Sequence, residues 1–103
     1  MQAYDPQSGY YGITLRTTDD ENITAVLAGV VVHTDYEIDN TYTIIVQHNT
    51  YLSVYRYVQK LLKKTGDIVK AGESIAITDS RHDLYFELWQ SGKSINPEEV
   101  IAF

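Results

Sequence analysis

Few side chains in this 103-residue chain could do chemistry, and they are scattered. There is no Cys, which removes thiolate nucleophiles, disulfides and Cys-bound zinc. His33, His48 and His82 remain, but a metal centre among them needs two or three convergent ligands. Their surroundings favour plainer roles. His33 ends a strand-like run and His82 sits in a loop. The acidic stretch 35–39 lacks the Gly-centred pattern of a calcium loop and reads as a solvated hairpin. The densest segment is Asp83-Leu84-Tyr85-Phe86-Glu87-Leu88-Trp89. In a strand, residues two apart share a face, so Asp83 and Tyr85 point together while Leu84, Phe86 and Leu88 turn to a core. A phenol titrating at about 10 is no zinc ligand at neutral pH. Asp83 alone would hold a metal only weakly.

The elements that position this segment read as strands. Nine Tyr and frequent Val, Ile and Thr favour pleated structure, and long helical periodicity is absent. Residues 1–9 read as an arm, with turn residues Asp5-Pro6 and Ser8-Gly9, and residues 10–103 as one domain. A strand is expected over 10–16, then a polar turn over 19–22, and a strand pair over 23–33 interrupted at Gly29. Residues 35–41 are expected as a hairpin loop. Residues 43–48 and 52–58 alternate as a hairpin joined through Asn49-Thr50. The stretch 57–64 fits either a turn of helix or a sheet edge. Thr65-Gly66-Asp67 and Ala71-Gly72-Glu73 are two tight Gly turns needing positive φ, and 74–78 is a strand. Trp89 with Phe86 is assigned to the core or its rim.

Composition excludes several functions. With 44% hydrophobic residues the chain can bury one core. A net charge of −6 argues against nucleic acid or an anionic membrane as the main partner, since both recruit clustered Lys and Arg. The basic group Lys60, Lys63 and Lys64 is too short to change this. No apolar run approaches the ~18 residues of a membrane span and no signal peptide stands before the domain, so a membrane would be reached only through an anchor outside this sequence.

The 83–89 segment resembles the His-x-His-Phe-Glu strand of the lysostaphin/LytM-like zinc endopeptidases, which cut peptidoglycan cross-links. The resemblance runs from about Tyr4 to Phe103. It rests on AVLAGVVV at 25–32, IIVQHNTYLSVY at 44–55, LLKKTGDIVKAGESIAI at 61–77, and the ending Phe86-Glu87-Leu88-Trp89, Gly92-Lys93 and Asn96-Pro97-Glu98. It implies an all-β, compact antiparallel, barrel-like assembly of the duplicated-hybrid-motif type. In active members a His-x-Gly-x-Asp motif supplies two zinc ligands and the second His of His-x-His the third. Those positions fall on Tyr10, Thr14 and Tyr85. A catalytic His of a Tyr-x-His segment falls on Tyr57, and the first His of His-x-His on Asp83. The five residues 79–83 also replace a longer Gly-rich loop beside the substrate groove.

The resemblance therefore implies a pseudopeptidase without zinc or other cofactor, in which Tyr10, Tyr57, His82, Asp83 and Tyr85 line a remnant binding groove. The expected role is a non-catalytic, protein-binding or regulatory module of cell-wall remodelling in the bacterial envelope, periplasmic or extracytoplasmic. Its expected partner is a cell-wall amidase or an active peptidase homologue. The alternatives are a metallopeptidase with unusual ligands such as Asp83 and His82, or a module that binds peptidoglycan itself. Carrier domains with paired Gly turns are the rival fold, and they need an exposed Lys where Asp79-Ser80-Arg81 stands.

Overall fold

The computed structural model describes residues 12–15, 21–37, 41–78 and 84–95. The arm expected over 1–9 lies outside them. Among the described residues ten strands follow one another: β1 (Gly12–Leu15), β2 (Glu21–Thr24), β3 (Gly29–Tyr36), β4 (Tyr42–Gln47), β5 (Tyr51–Val58), β6 (Lys60–Leu61), β7 (Ile68–Val69), β8 (Ser74–Thr78), β9 (Leu84–Gln90) and β10 (Lys93–Ile95). A large sheet runs β1-β9-β5-β4-β3-β7, with β10 also on β9, and a small sheet runs β2-β8-β6. All pairings are antiparallel. The described strands form two open sheets rather than a closed barrel.

Period-two alternation decides which face is buried. Leu84, Phe86 and Leu88 of β9 turn inward with Tyr55, Ile44 and Val46, and meet Ile23, Ile75 and Ala76 from the small sheet. Tyr55 stands opposite both Phe86 and Ile44, and its ring lies 5.2 Å from that of Phe86 at a tilt of 58°, the offset geometry that aromatic quadrupoles prefer. Each such fully buried side chain contributes roughly 1.5–3 kcal/mol. This layer seats the outer face of the large sheet.

Three bulges break the alternation. Thr24 pairs with Ser74 and Ile23 with Ala76, so Ile75 is an extra residue; consecutive Ile75 and Ala76 can then both be fully buried. Val32 is similarly extra between β3 and β4, and Tyr57 between β4 and β5.

The two tight turns hold as expected, with Gly66 at φ 97° and Gly72 at φ 82°, values that a Cβ makes costly. Other boundaries move. The break within 23–33 falls at residues 25–28, and β2 already begins at Glu21. The ladder carries β3 through Asp35 and Tyr36, opposite Thr43 and Tyr42, leaving a shorter hairpin in which Glu37 N–H donates to the Thr41 carbonyl at 2.7 Å. The 57–64 stretch is sheet edge: Lys60 and Leu61 pair with β8.

A buried polar chain ties the 25–28 segment to β5. The His48 Nδ1 lies 2.9 Å from the Ala28 carbonyl, which can only accept, so Nδ1 carries the proton and Nε2 accepts from Ser53 Oγ at 2.7 Å. Ser53 in turn is hydrogen-bonded to the Tyr55 hydroxyl, which accepts from Val26 N–H at 3.2 Å. His48 is thereby held between Ala28 and Ser53 in a structural role.

Candidate functional site

The face of the large sheet opposite the core carries a row of directly paired residues: Thr14, Tyr85, Arg56, Thr43 and Asp35. Direct antiparallel partners share a face, so Thr14 of β1 and Arg56 of β5 flank Tyr85 of β9. Strict alternation would send Tyr57 to the core beside Tyr55. Instead the bulge places its backbone at φ 67°, leaves it 42% exposed, and brings its ring to 6.4 Å from the Tyr85 ring at 55°. Bulges re-aim side chains in this way, and a non-glycine residue in the left-handed region carries backbone strain of order 1 kcal/mol or more.

Next to these rings stands an ion pair. Arg56 Nη1 donates to Glu37 Oε1 at 3.2 Å, and Thr43 Oγ1 donates to the same oxygen at 2.7 Å. The two charged groups are about one-third exposed. Arg56 spends one guanidinium nitrogen on Glu37, and among the described residues its other donors are not engaged.

Of the six residues expected at the groove or at the lost catalytic positions, Thr14, Tyr57 and Tyr85 are brought together, while Tyr10, His82 and Asp83 lie outside the described residues. Arg56, Thr43 and Glu37 are the members that sequence reading passed over. Parity could have found Arg56, because it precedes Tyr57 and pairs with Tyr85. Glu37 could not be found, since it reaches the row from a hairpin. Trp89, assigned to the core or rim, lies on the outer face with Tyr85 and Glu87; Phe86 alone of that pair is core. Glu87 Oε1 accepts from Trp89 Nε1–H at 2.9 Å, which fixes the indole along the sheet.

These residues do not fit zinc. Two phenols and a hydroxyl surround the place where Thr14 meets Tyr85, and zinc takes imidazole nitrogen, carboxylate oxygen or thiolate. Among the described residues no three His, Cys, Asp or Glu side chains group together. His48 is committed to Ala28 and Ser53, and His33 stands exposed with its Nε2 3.8 Å from Asp35. In zinc peptidases the metal makes the nucleophile by acidifying water, and the described residues of this face form no group that could hold one. What it offers is recognition: two aromatic rings, a guanidinium and hydroxyls on a rigid sheet.

Peptidase family M23 matches the chain over residues 8–97. The murein hydrolase activator EnvC of Escherichia coli (strain K12) is 29% identical over 93 residues, covering 84% of this chain and 22% of EnvC. The structure of Helicobacter pylori Csd3 from its hexagonal crystal superposes at a TM-score of 0.88 with 19% identity, covering 99% of this chain and 30% of the other. The antimicrobial peptidase lysostaphin from Staphylococcus simulans gives 0.78 with 20% identity, covering 97% and 46%. At those identities the likeness shows the fold. The chain spans about a quarter of the length of the curated relatives it matches.

Proposed function

The chain belongs to peptidase family M23, and from that premise we propose that it is a non-catalytic member whose former catalytic face grips a protein segment in the bacterial envelope. The observation that carries this reading is Tyr57. Its strained backbone holds an exposed ring over Tyr85, where core packing gains nothing from it. Tyr and Arg are the residue types that dominate protein recognition, because they present rigid area with polar tips. A partner segment would lay an apolar side chain between the two rings and an acidic one on Arg56.

EnvC, which shares this domain by sequence, is named as an activator of murein hydrolases. The reading extends that role here, with a cell-wall amidase or an active peptidase homologue as the partner. The purified domain is mixed with a cell-wall amidase of its own organism and dye-labelled peptidoglycan. The amidase is expected to release dye faster with the domain present. Tyr57→Gly, which relieves the strained backbone, is expected to keep or raise stability while abolishing the stimulation; Tyr85→Ala should weaken it at least tenfold with little loss of stability. Equal losses of folding and stimulation would make the rings mere filling. Cleavage by the domain alone, with stoichiometric zinc, would end the non-catalytic reading.

A further inference from the structure

We propose a second binding site on the same face, a cleft for the ring of an uncharged sugar, floored by Trp89. Four residues along β9 from Tyr85, about 13 Å at strand rise, Gln47, Leu52 and Trp89 form another row of direct partners. The turns at Asn49-Thr50 and at 91–92 lie at the same end of these neighbouring strands, and with the row they line an open cleft of about 400 Å³. Ser91 at φ 53° and Gly92 at φ 78° give the second turn the both-positive geometry of a tight two-residue hairpin. The walls are therefore short and stiff, and the cleft is within the size range of small-molecule sites.

The lining selects the ligand class. This chain carries 8 basic and 14 acidic residues, yet among the described residues none that lines the cleft is charged. An ionic ligand would find no counter-charge among them. The polar groups are amides and hydroxyls, and they are held in place. Gln47 Nε2 donates to the His48 carbonyl at 2.7 Å and to the Tyr51 carbonyl at 3.2 Å. Both amide protons are thus committed, which leaves Oε1 as a fixed acceptor. Thr50 Oγ1 accepts from Gln90 Nε2 at 3.2 Å, so its own proton can be given away. Trp89 is oriented by Glu87 and offers a flat apolar ring with a polar edge. A pyranose matches all of this, with one face of C–H groups to lie on the indole and hydroxyls that both donate and accept around its rim.

Trp89 is the chain's single tryptophan, so its fluorescence reports on this site alone. Titration with tri-N-acetylchitotriose and with cellotriose is expected to give a saturable emission change for at least one sugar, with Kd in the range of about 1 mM. The variant Asn49→Ala/Thr50→Ala, altered only at exposed positions, should weaken binding about fivefold or more with unchanged melting temperature. Tyr57→Gly should leave the titration unaltered, and Asn49→Ala/Thr50→Ala should still stimulate the amidase. The sugar site and the protein-binding face can thus fail independently. No saturation by either sugar up to about 20 mM, or saturation only by a neutral tripeptide, would overturn the proposal.

Discussion

Ser53 is a small side chain with an outsized place, because its hydroxyl stands between His48 Nε2 and the Tyr55 hydroxyl. Removing it leaves the Tyr55 proton without an acceptor and His48 Nε2 without a donor, both inside the core. An orphaned buried polar group costs about 1–3 kcal/mol, so Ser53→Ala is expected to lose about 2–4 kcal/mol in urea unfolding. The double variant Ser53→Ala/Tyr55→Phe should lose less than the sum of the two single changes, because it removes one orphan; simple additivity would contradict the relay. Burial raises the Tyr55 hydroxyl above its ordinary value, opposed in part by its bonds to Ser53 and Val26. The neutral phenol is the form that the fold favours. Its stabilising share is therefore complete below the unfolded-state value of about 10 and is lost as pH rises through the higher folded value. Stability should fall more steeply above about pH 10 in the parent than in Tyr55→Phe, measured by denaturant midpoints at stepped pH. Parallel pH curves would show that the phenol is not the cause.

At the scale of elements, β1 depends on the absence of a side chain. A Cβ at Gly12 would stand 2.3 Å from the Phe86 carbonyl oxygen and 2.8 Å from Glu87 Cγ. The first obstacle is backbone of β9 and cannot swing aside. Gly12→Ala should push β1 away from β9, costing about 1–3 kcal/mol and lowering amide-exchange protection in 12–15 more than in β4. Protection lost evenly would mean that the strain spreads through the sheet. Much of this arrangement is legible in the sequence. The strand over 74–78 and the hairpin through Asn49-Thr50 follow from alternation and turn chemistry, and both are found. What alternation cannot reveal is an inserted residue. Ile75, Val32 and Tyr57 become bulges because of how their neighbours pair, and a β-branched or aromatic residue fits a regular strand as well as an irregular one. That is why the outward swing of Tyr57 and the company of Arg56 had to come from the structure. The position of Trp89 was different, since it shares parity with Tyr85 and its outward face could have been read directly.

For the whole molecule, the question is whether the family's scaffold survives apart from its chemistry. The fold superposes on that of the peptidase lysostaphin, and we propose that Tyr10, Thr14 and Tyr85 stand at the family's ligand positions, as the sequence resemblance implies. If only side chains were exchanged, restoring them should restore metal binding. Thr14 and Tyr85 face each other directly across β1 and β9, so a carboxylate and an imidazole there would have Cα atoms about 4.5–5.5 Å apart. Tyr10→His, Thr14→Asp and Tyr85→His together are expected to give a domain that purifies with close to one zinc, while the parent holds none. A ligand at a hundredfold its Kd stabilises by about 2.7 kcal/mol, which for a domain of this size is a rise in Tm of roughly 10–20 °C. Zinc should leave the melting of the parent unmoved. Peptidoglycan cleavage should still be absent in the triple variant if, as the sequence resemblance implies, Tyr57 and Asp83 take the two further positions at which active relatives carry His. A triple variant that folds but ignores zinc would show that the backbone, as well as the side chains, has moved away from catalysis, and the bulge at Tyr57 would be the first place to look for that change.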